Sequence, residues 1–362
     1  MSDTLTPRRP APTPEEEMRA ALVHGSLPRT WHVAVVVGAV VLGAVSWLPQ
    51  GGINWARWIV VTIVAYCLAI YVVARIVEGS RKAKNRLMTA LVVSSFAIVA
   101  FPLVSVVWTV VENGLPRFDT TFFSETMRGV VGAGGGAQHA IVGTIIVTAL
   151  CTLISVPFGI FTAIYLVEYG RGKLARGITS MVDVMTGIPS IVAGLFAYAL
   201  FVVFWGPGTR SAIAGAVALA VLMTPVVVRS SEEMLRLVPD ELREASAALG
   251  VPKWRTIAKV VLPTAIGGII TGITLAIARV IGETAPLLVT AGLAQDTNLN
   301  SFDGRMTTLP VYTYYQYVQP GVPPEAGRER AFTAALVLML IVALLFAMAR
   351  ILSGIFKPKG LR

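Results

Sequence analysis

Two ionisable residues stand where charge is most costly. Arg279 and Glu283 lie four positions apart, at the end of the apolar stretch that starts at Thr264. On a continuous helix this spacing places both side chains on one face. Arg279 is 16 residues past Pro263, or about 24 Å along a helix at about 1.5 Å per residue. A centrally placed arginine costs about 2.5–3.5 kcal/mol on insertion scales, so it needs a partner, a water-filled cavity or both. Its planar fork of donors matches the oxygens of an oxyanion bidentately and keeps its charge in any surroundings. Glu283 would hold that fork in place and keep an anion from binding too tightly to leave. The blander readings are a self-neutralising pair or an arginine that snorkels to the headgroups. Intramembrane ionisable groups are functional by default, which favours a substrate pathway through Arg279 and Glu283. Pro286 ends or kinks the helix nearby, and Gly268 and Gly272 form a small-xxx-small pair for close helix packing.

Composition sets the elements that must carry this pair. Of 362 residues, 55% are hydrophobic and only 14% are charged, with a mean hydropathy of +0.72. Soluble domains carry about 25% charge, so the chain reads as an all-α polytopic membrane protein. Eight stretches have the length needed to cross a bilayer: Trp31–Leu48, Trp58–Val77, Leu87–Val111, Ala140–Val167, Ile178–Phe204, Ala212–Val228, Thr264–Ile281 and Ala331–Leu352. None alternates with period two, which argues against a transmembrane barrel. The first stretch reads as a retained helix and not a signal peptide, because the leader before it carries Glu15, Glu16 and Glu17. That leader, residues 1–30, is rich in proline and reads as a disordered cytoplasmic tail.

Basic residues give the orientation. With the N-terminus in the cytoplasm, 22 of the 30 lysines and arginines fall on inner segments and 7 on outer ones. This bias places both termini inside. The net charge of +10 is therefore topology, and no nucleic-acid partner is needed to explain it. Cys67 and Cys151 both lie in apolar runs and offer no disulfide framework. His24, His32 and His139 are too few and scattered for a metal site. Tyr312, Tyr314, Tyr315 and Tyr317 suit either an aromatic belt or a protein-docking surface. The run Gly134-Gly135-Gly136 could cradle a phosphate, although flexibility is the simpler reading.

The cytoplasmic segment 230–263 reads as two short helices joined by a tight turn. Asp240 caps the first, Gly250 ends it in the left-handed conformation, and Pro252 opens the second. Glu244-Ala245-Ser246, then Gly250, then Val260-Val261-Leu262-Pro263 resembles the EAA loop of ABC importer permeases, with Ser246 and Val260 replacing an alanine and an isoleucine. The resemblance implies that Glu244, Ala245, Ser246, Gly250, Leu262 and Pro263 couple the chain to an ATP-binding subunit. Nothing in the chain supplies the phosphate loop of an ATPase: Gly172-Lys173 is followed by Leu174, and position 167 is valine.

The strings Ala278-Arg279-Val280-Ile281-Gly282-Glu283-Thr284-Ala285-Pro286-Leu287-Leu288 and Thr186-Gly187-Ile188-Pro189-Ser190-Ile191-Val192 are similar to signatures of one subfamily. This is the A-type permease (PstA) family of the bacterial phosphate ABC importers, and the resemblance covers about Leu87 to Leu352. It implies a six-helix core over 87–356; the two additional helices over 31–86 go beyond that core, and 357–362 reads as a cytoplasmic tail. It also implies a non-catalytic, multi-pass subunit of the bacterial plasma membrane that imports inorganic phosphate through a route near Arg279 and Glu283. The implied partners are a C-type permease, two ATP-binding subunits that use ATP-Mg, and an extracytoplasmic phosphate-binding protein. No cofactor is expected on this chain itself. Pro189, like Pro286, is a candidate hinge. The rival readings are a permease for sulfate or molybdate, which guanidinium chemistry would serve equally, and a membrane sensor or scaffold.

Overall fold

The computed structural model describes residues 30–46 and 55–355. Among them are fourteen α-helices, two π turns and no strand. The all-helical membrane fold read from the sequence is the one observed. The tails before residue 30 and after 355 lie outside the described residues, as does the end of the first apolar stretch at Trp47 and Leu48. The chain divides into two compact units that meet at Val107 and Trp108.

The first unit holds α1 (Trp31–Val45), α2 (Trp55–Val77) and most of α3 (Ser80–Gly114). Gly43 lets α1 approach α2, since a Cβ there would lie 2.8 Å from the Trp58 ring. Trp31, Cys67, Ile70 and Ala90 form its small core. The basic segment 75–86 is helical almost throughout. Gly79, at φ +88°, makes the one sharp turn because a residue without Cβ enters that region freely. Buried Glu78 receives both arms of Arg86, at 2.5 and 2.7 Å.

The second unit is built on α5 (Gln138–Ile164), which ends in a π turn (Tyr165–Tyr169), and α8 (Ala212–Arg236). The two pack where a Cβ on Gly159 would meet the Val227 side chain at 2.5 Å. Val147, Cys151, Leu219, Met223, Ala276 and Leu287 belong to the shared core. Around it lie α4 (Thr120–Ser124), α6 (Gly172–Thr186), α7 (Ser190–Trp205), α9 (Asp240–Ala248) and α10 (Lys253–Thr256). After a second π turn (Ile257–Val261) come α11 (Leu262–Val280), α12 (Ala285–Thr290), α13 (Leu309–Val318) and α14 (Pro324–Ile355).

Among the described residues, six helices are long and apolar enough to cross a membrane unaided: Arg57–Val77, Ser80–Gly114, Gln138–Tyr169, Ala212–Arg236, Lys253–Val280 and Pro324–Gly354. The stretch Ile178–Phe204, expected as one span, is instead two helices, α6 and α7, meeting at 109°. Pro189 explains the break: it has no N–H to donate, its ring clashes with the carbonyl four residues back, and it disfavours helix at Ile188. The stretch beginning at Trp31 is a shorter apolar helix of 15 residues within the described range. With the bent pair counted as one span, the described residues hold up to seven candidate spans where eight were expected, because the first stretch forms only this shorter helix.

The seventh stretch also starts earlier than the sequence suggests. The helix expected after Pro252 does not stop at Pro263 but runs into α11, so that Lys253–Val280 is a single rod. The π turn makes this possible. Leu262 N–H bonds the Ile257 carbonyl, five residues back, and the widened turn accommodates a proline that would otherwise clash with the preceding turn.

Candidate functional site

The last turn of α11 carries Arg279, and the helix stops one residue later at Val280. Ile281 N–H still reaches the Ile277 carbonyl at 2.9 Å, and Glu283 N–H turns back to Val280 at 3.1 Å. The chain then re-enters a helix at Ala285, with Pro286 in the first turn of α12. Pro286 causes the break, because a continuous helix would press its ring against the Gly282 carbonyl and leave that carbonyl without a donor. Arg279 and Glu283 therefore do not share a helix face, contrary to the expectation from their spacing. Arg279 ends one helix, and Glu283 sits in the break before the next. The guanidinium is exposed and the carboxylate half-buried. Among the described residues neither side chain has a hydrogen-bond or ion-pair partner. This is not a closed, self-neutralised pair. A cation at a helix C-terminus is favoured by the free carbonyls there, and its donor fork remains open to an anion.

Close packing fixes the break in place. A Cβ on Gly194 of α7 would lie 2.6 Å from the Pro286 Cα, and one on Gly215 of α8 would lie 2.9 Å from Leu287. The Thr290 hydroxyl donates to the Pro286 carbonyl at 2.8 Å, and Ser211 N–H donates to the Thr290 carbonyl at 3.1 Å. The rod below is seated on α8 by two glycines. Gly268 faces Met234, and a Cβ on Gly272 would lie 2.6 Å from the Ser230 side chain.

At the other end of that rod lies the loop with the EAA-like residues. Asp240 does not cap α9; Pro239 occupies the cap position, and Asp240 is the first helical residue. The helix ends in a Schellman motif. Val251 N–H bonds the Ser246 carbonyl at 3.2 Å, Gly250 N–H bonds the Ala247 carbonyl at 2.9 Å, and Gly250 has φ +71°. Ser246 is buried and meets the Thr256 hydroxyl at 2.7 Å, joining the two arms of the turn. Glu244, Ala245, Gly250 and Pro263 are exposed, and Leu262 is half-buried. Leu249 and Trp254 are exposed by 82% and 60%. An apolar patch presented this openly beside exposed carboxylates is the kind of surface that another protein covers.

The family model described as "Binding-protein-dependent transport system inner membrane component" matches residues 155–359. That range holds α6 to α14, with both the break and the loop. The chain belongs to this permease family. It is 46% identical over 275 residues to phosphate transport system permease protein PstA 1 of Mycobacterium tuberculosis (strain CDC 1551 / Oshkosh), covering 75% of this chain and 89% of that protein. It is 42% identical over 275 residues to the phosphate transport system permease protein PstA of Pasteurella multocida (strain Pm70), covering 75% and 95%. The fold is also similar to a bacterial alginate ABC transporter, crystallised with an alginate pentasaccharide-bound periplasmic protein. Its TM-score is 0.54 at 14% identity, over 77% of this chain and 97% of that one.

The structure of this permease also reassigns residues that the sequence left open. The glycine run is not an anion cradle, because its carbonyls, which would repel an anion, are what it presents. Arg330 donates to Gly132 and Gly134, both at 2.9 Å, Arg117 donates to Gly135 at 2.6 Å, and the Tyr312 hydroxyl donates to Gly136 at 3.3 Å. Tyr312 is buried, which pushes its phenol above the usual tyrosine range, whereas Tyr314 and Tyr317 are exposed. Asp183 pairs with Arg229, which also holds Glu232 at 2.9 Å. Among the described residues no cluster of His, Cys, Asp or Glu could hold a metal ion.

The loop residue that sequence reasoning passed over is Arg243. It immediately precedes the EAA-like Glu244 and points inward, away from the exposed face. A basic residue immediately before the motif glutamate was the only available signal, and on a charged loop that signal is weak.

Proposed function

We propose that the chain is a membrane permease subunit of an ATP-driven importer of inorganic phosphate and forms half of the translocation pathway. The observation that carries this reading is the open guanidinium of Arg279. It is an arginine at a helix end, beside a break, without an acidic partner among the described residues. Tetrahedral phosphate supplies the paired oxygens such a fork matches, and Glu283, three residues past the helix end, limits how long the anion stays. The relatives named as phosphate transport permeases support phosphate over other oxyanions.

In this reading both termini face the cytoplasm of a bacterial inner membrane. Residues 87–356 form the permease core, and the chain carries out no catalysis and holds no cofactor. A second, C-type permease covers the face bearing Arg279, an extracytoplasmic binding protein delivers phosphate, and one of the two ATP-binding subunits docks on Glu244 to Gly250. Closure of the ATP-binding pair pushes the loop. The push reaches Arg279 along the unbroken rod Lys253–Val280 and is taken up at the break before Pro286.

The test is phosphate accumulation in vesicles containing the reconstituted complex, with sulfate and molybdate as competitors. ATP-dependent accumulation that unlabelled phosphate alone competes away is expected. Equal competition by sulfate would overturn the choice of substrate, and absence of accumulation would overturn the transport reading in favour of a sensor or scaffold.

A further inference from the structure

The ends of two membrane helices, α5 and α8, converge on one arginine. Arg243 is the fourth residue of α9, and its side chain is only 20% exposed. Its Nε donates to Glu168 Oε1 at 3.0 Å, in the π turn that ends α5. One terminal nitrogen donates to the Val238 carbonyl at 2.6 Å and to Asp240 Oδ1 at 3.0 Å. The other donates to the Leu235 carbonyl at 2.9 Å, in the last turn of α8. The carbonyls at a helix C-terminus have no partner within the helix, and a cation placed there satisfies them and meets the negative end of the dipole. Arg243 does this for α8 while pairing with α5.

A second cation closes the other side. Lys253, at the start of the rod leading to Arg279, donates its Nζ to the Glu168 carbonyl and lies 4.9 Å above the Tyr169 ring. The π turn Tyr165–Tyr169 is thus held from both arms of the loop. Beneath these contacts Ala163, Leu235, Val238, Val261 and Ala265 form one buried cluster shared by α5, α8 and the base of the rod. The carboxylate of Glu168 is 7% exposed, so the pair is shielded from solvent and salt far more than a surface ion pair.

We infer that Arg243, paired with Glu168, is a positioning residue that locks the loop to the ends of α5 and α8, so that a push on the loop moves the membrane helices instead of bending the loop. Glu244 and its exposed neighbours meet the partner; Arg243 passes their displacement inward. This rests on the transport reading above. Without the clamp, the loop still presents its docking face, but its movement is dissipated at the hinge around Val238 and Pro239.

The test uses the full complex with its ATP-binding subunits and binding protein, reconstituted in liposomes, and measures phosphate accumulated per ATP hydrolysed. Arg243→Gln and Glu168→Gln are each expected to lower this ratio about tenfold, within the range by which coupling residues act. The double variant is expected to fall no further, because both remove one interaction. Arg243→Lys, which keeps the charge but loses the fork, is expected to recover part of the ratio. The thermal midpoint and the yield of assembled complex are measured alongside. Uptake that falls only in step with the assembled fraction, leaving the ratio unchanged, would make the pair merely structural and overturn the inference, as would multiplicative losses in the double variant. A wild-type complex that accumulates no phosphate overturns the functional reading itself, which is distinct from a working wild type whose variants are unaffected.

Discussion

Gly194 and Pro286 come together so closely that a Cβ on the glycine would lie 2.6 Å from the proline Cα. One belongs to the helix after the 109° break, the other to the short helix after Arg279. Each break places a proline at or next to a helix start, and the two prolines that interrupt apolar runs thereby create the surfaces that α7 and α12 share. The contact is to backbone, which has little room to give. Gly194→Ala is expected to destabilise the assembled protein by about 1–3 kcal/mol, the range for overpacking, and Gly194→Leu to reduce folded yield sharply. Thermal unfolding in detergent measures both, and an unchanged midpoint for Gly194→Leu would show that α12 is not seated as described.

Arg279 has no partner among the described residues, so its replacement leaves no buried carboxylate behind. Arg279→Gln is expected to preserve assembly and thermal midpoint while lowering phosphate uptake about 10- to 100-fold, as loss of a charge-assisted hydrogen bond of about 1.5–3 kcal/mol would. Arg279→Lys keeps the charge without the bidentate fork and is expected to fall between the two. Initial rates of labelled phosphate uptake decide the matter. Normal uptake by the glutamine variant would remove Arg279 from the route.

Gly250 has open space around it, so its requirement is conformational. At φ +71°, an alanine would pay about 1 kcal/mol or more for the left-handed geometry, whereas asparagine tolerates it better. The expected order for retention of the ATP-binding subunit on copurification is glycine, asparagine, alanine, then leucine. Equal retention by all four would mean that the Schellman turn does not shape the docking face.

Much of this molecule is legible in the sequence because the signals are local. Apolar runs of about 20 residues are set by bilayer thickness, and a glycine followed by Pro252 announces the loop's turn. What escaped has a common cause, namely that each feature depends on a partner distant in sequence or on a competing local rule. The helical spacing of Arg279 and Glu283 suggested one face, but Pro286 overrode it. Pro263 looked like a boundary, yet the π turn Ile257–Val261 absorbs it. Arg243 looked like one more loop charge, and only the fold brings Glu168 to it across 75 positions. Gly134-Gly135-Gly136 read as a flexible run or, less simply, a phosphate cradle, and only the fold shows its carbonyls held by Arg330, Arg117 and Tyr312.

That glycine segment gives the last prediction. Arg330, 4% exposed, donates to the Gly132 and Gly134 carbonyls and to the Gln316 side chain at 3.1 Å, tying this loop to α13 and α14. A Cβ on Gly136 would lie 2.5 Å from the Phe122 carbonyl, so the loop is packed as well as bonded and is not a free flap. Arg330→Met preserves much of the side-chain volume but leaves those carbonyls without donors, at about 1–3 kcal/mol for each one that remains buried. Faster amide exchange is expected across residues 126–137, together with a lower thermal midpoint, while exchange in the EAA-like loop 240–256 stays as in the parent protein. An anion cradle would behave differently: its exchange would slow on adding inorganic phosphate, and Arg330→Met would abolish that slowing. Because the carbonyls already face Arg330, Arg117 and Tyr312, no phosphate-dependent protection is expected at this segment in either protein.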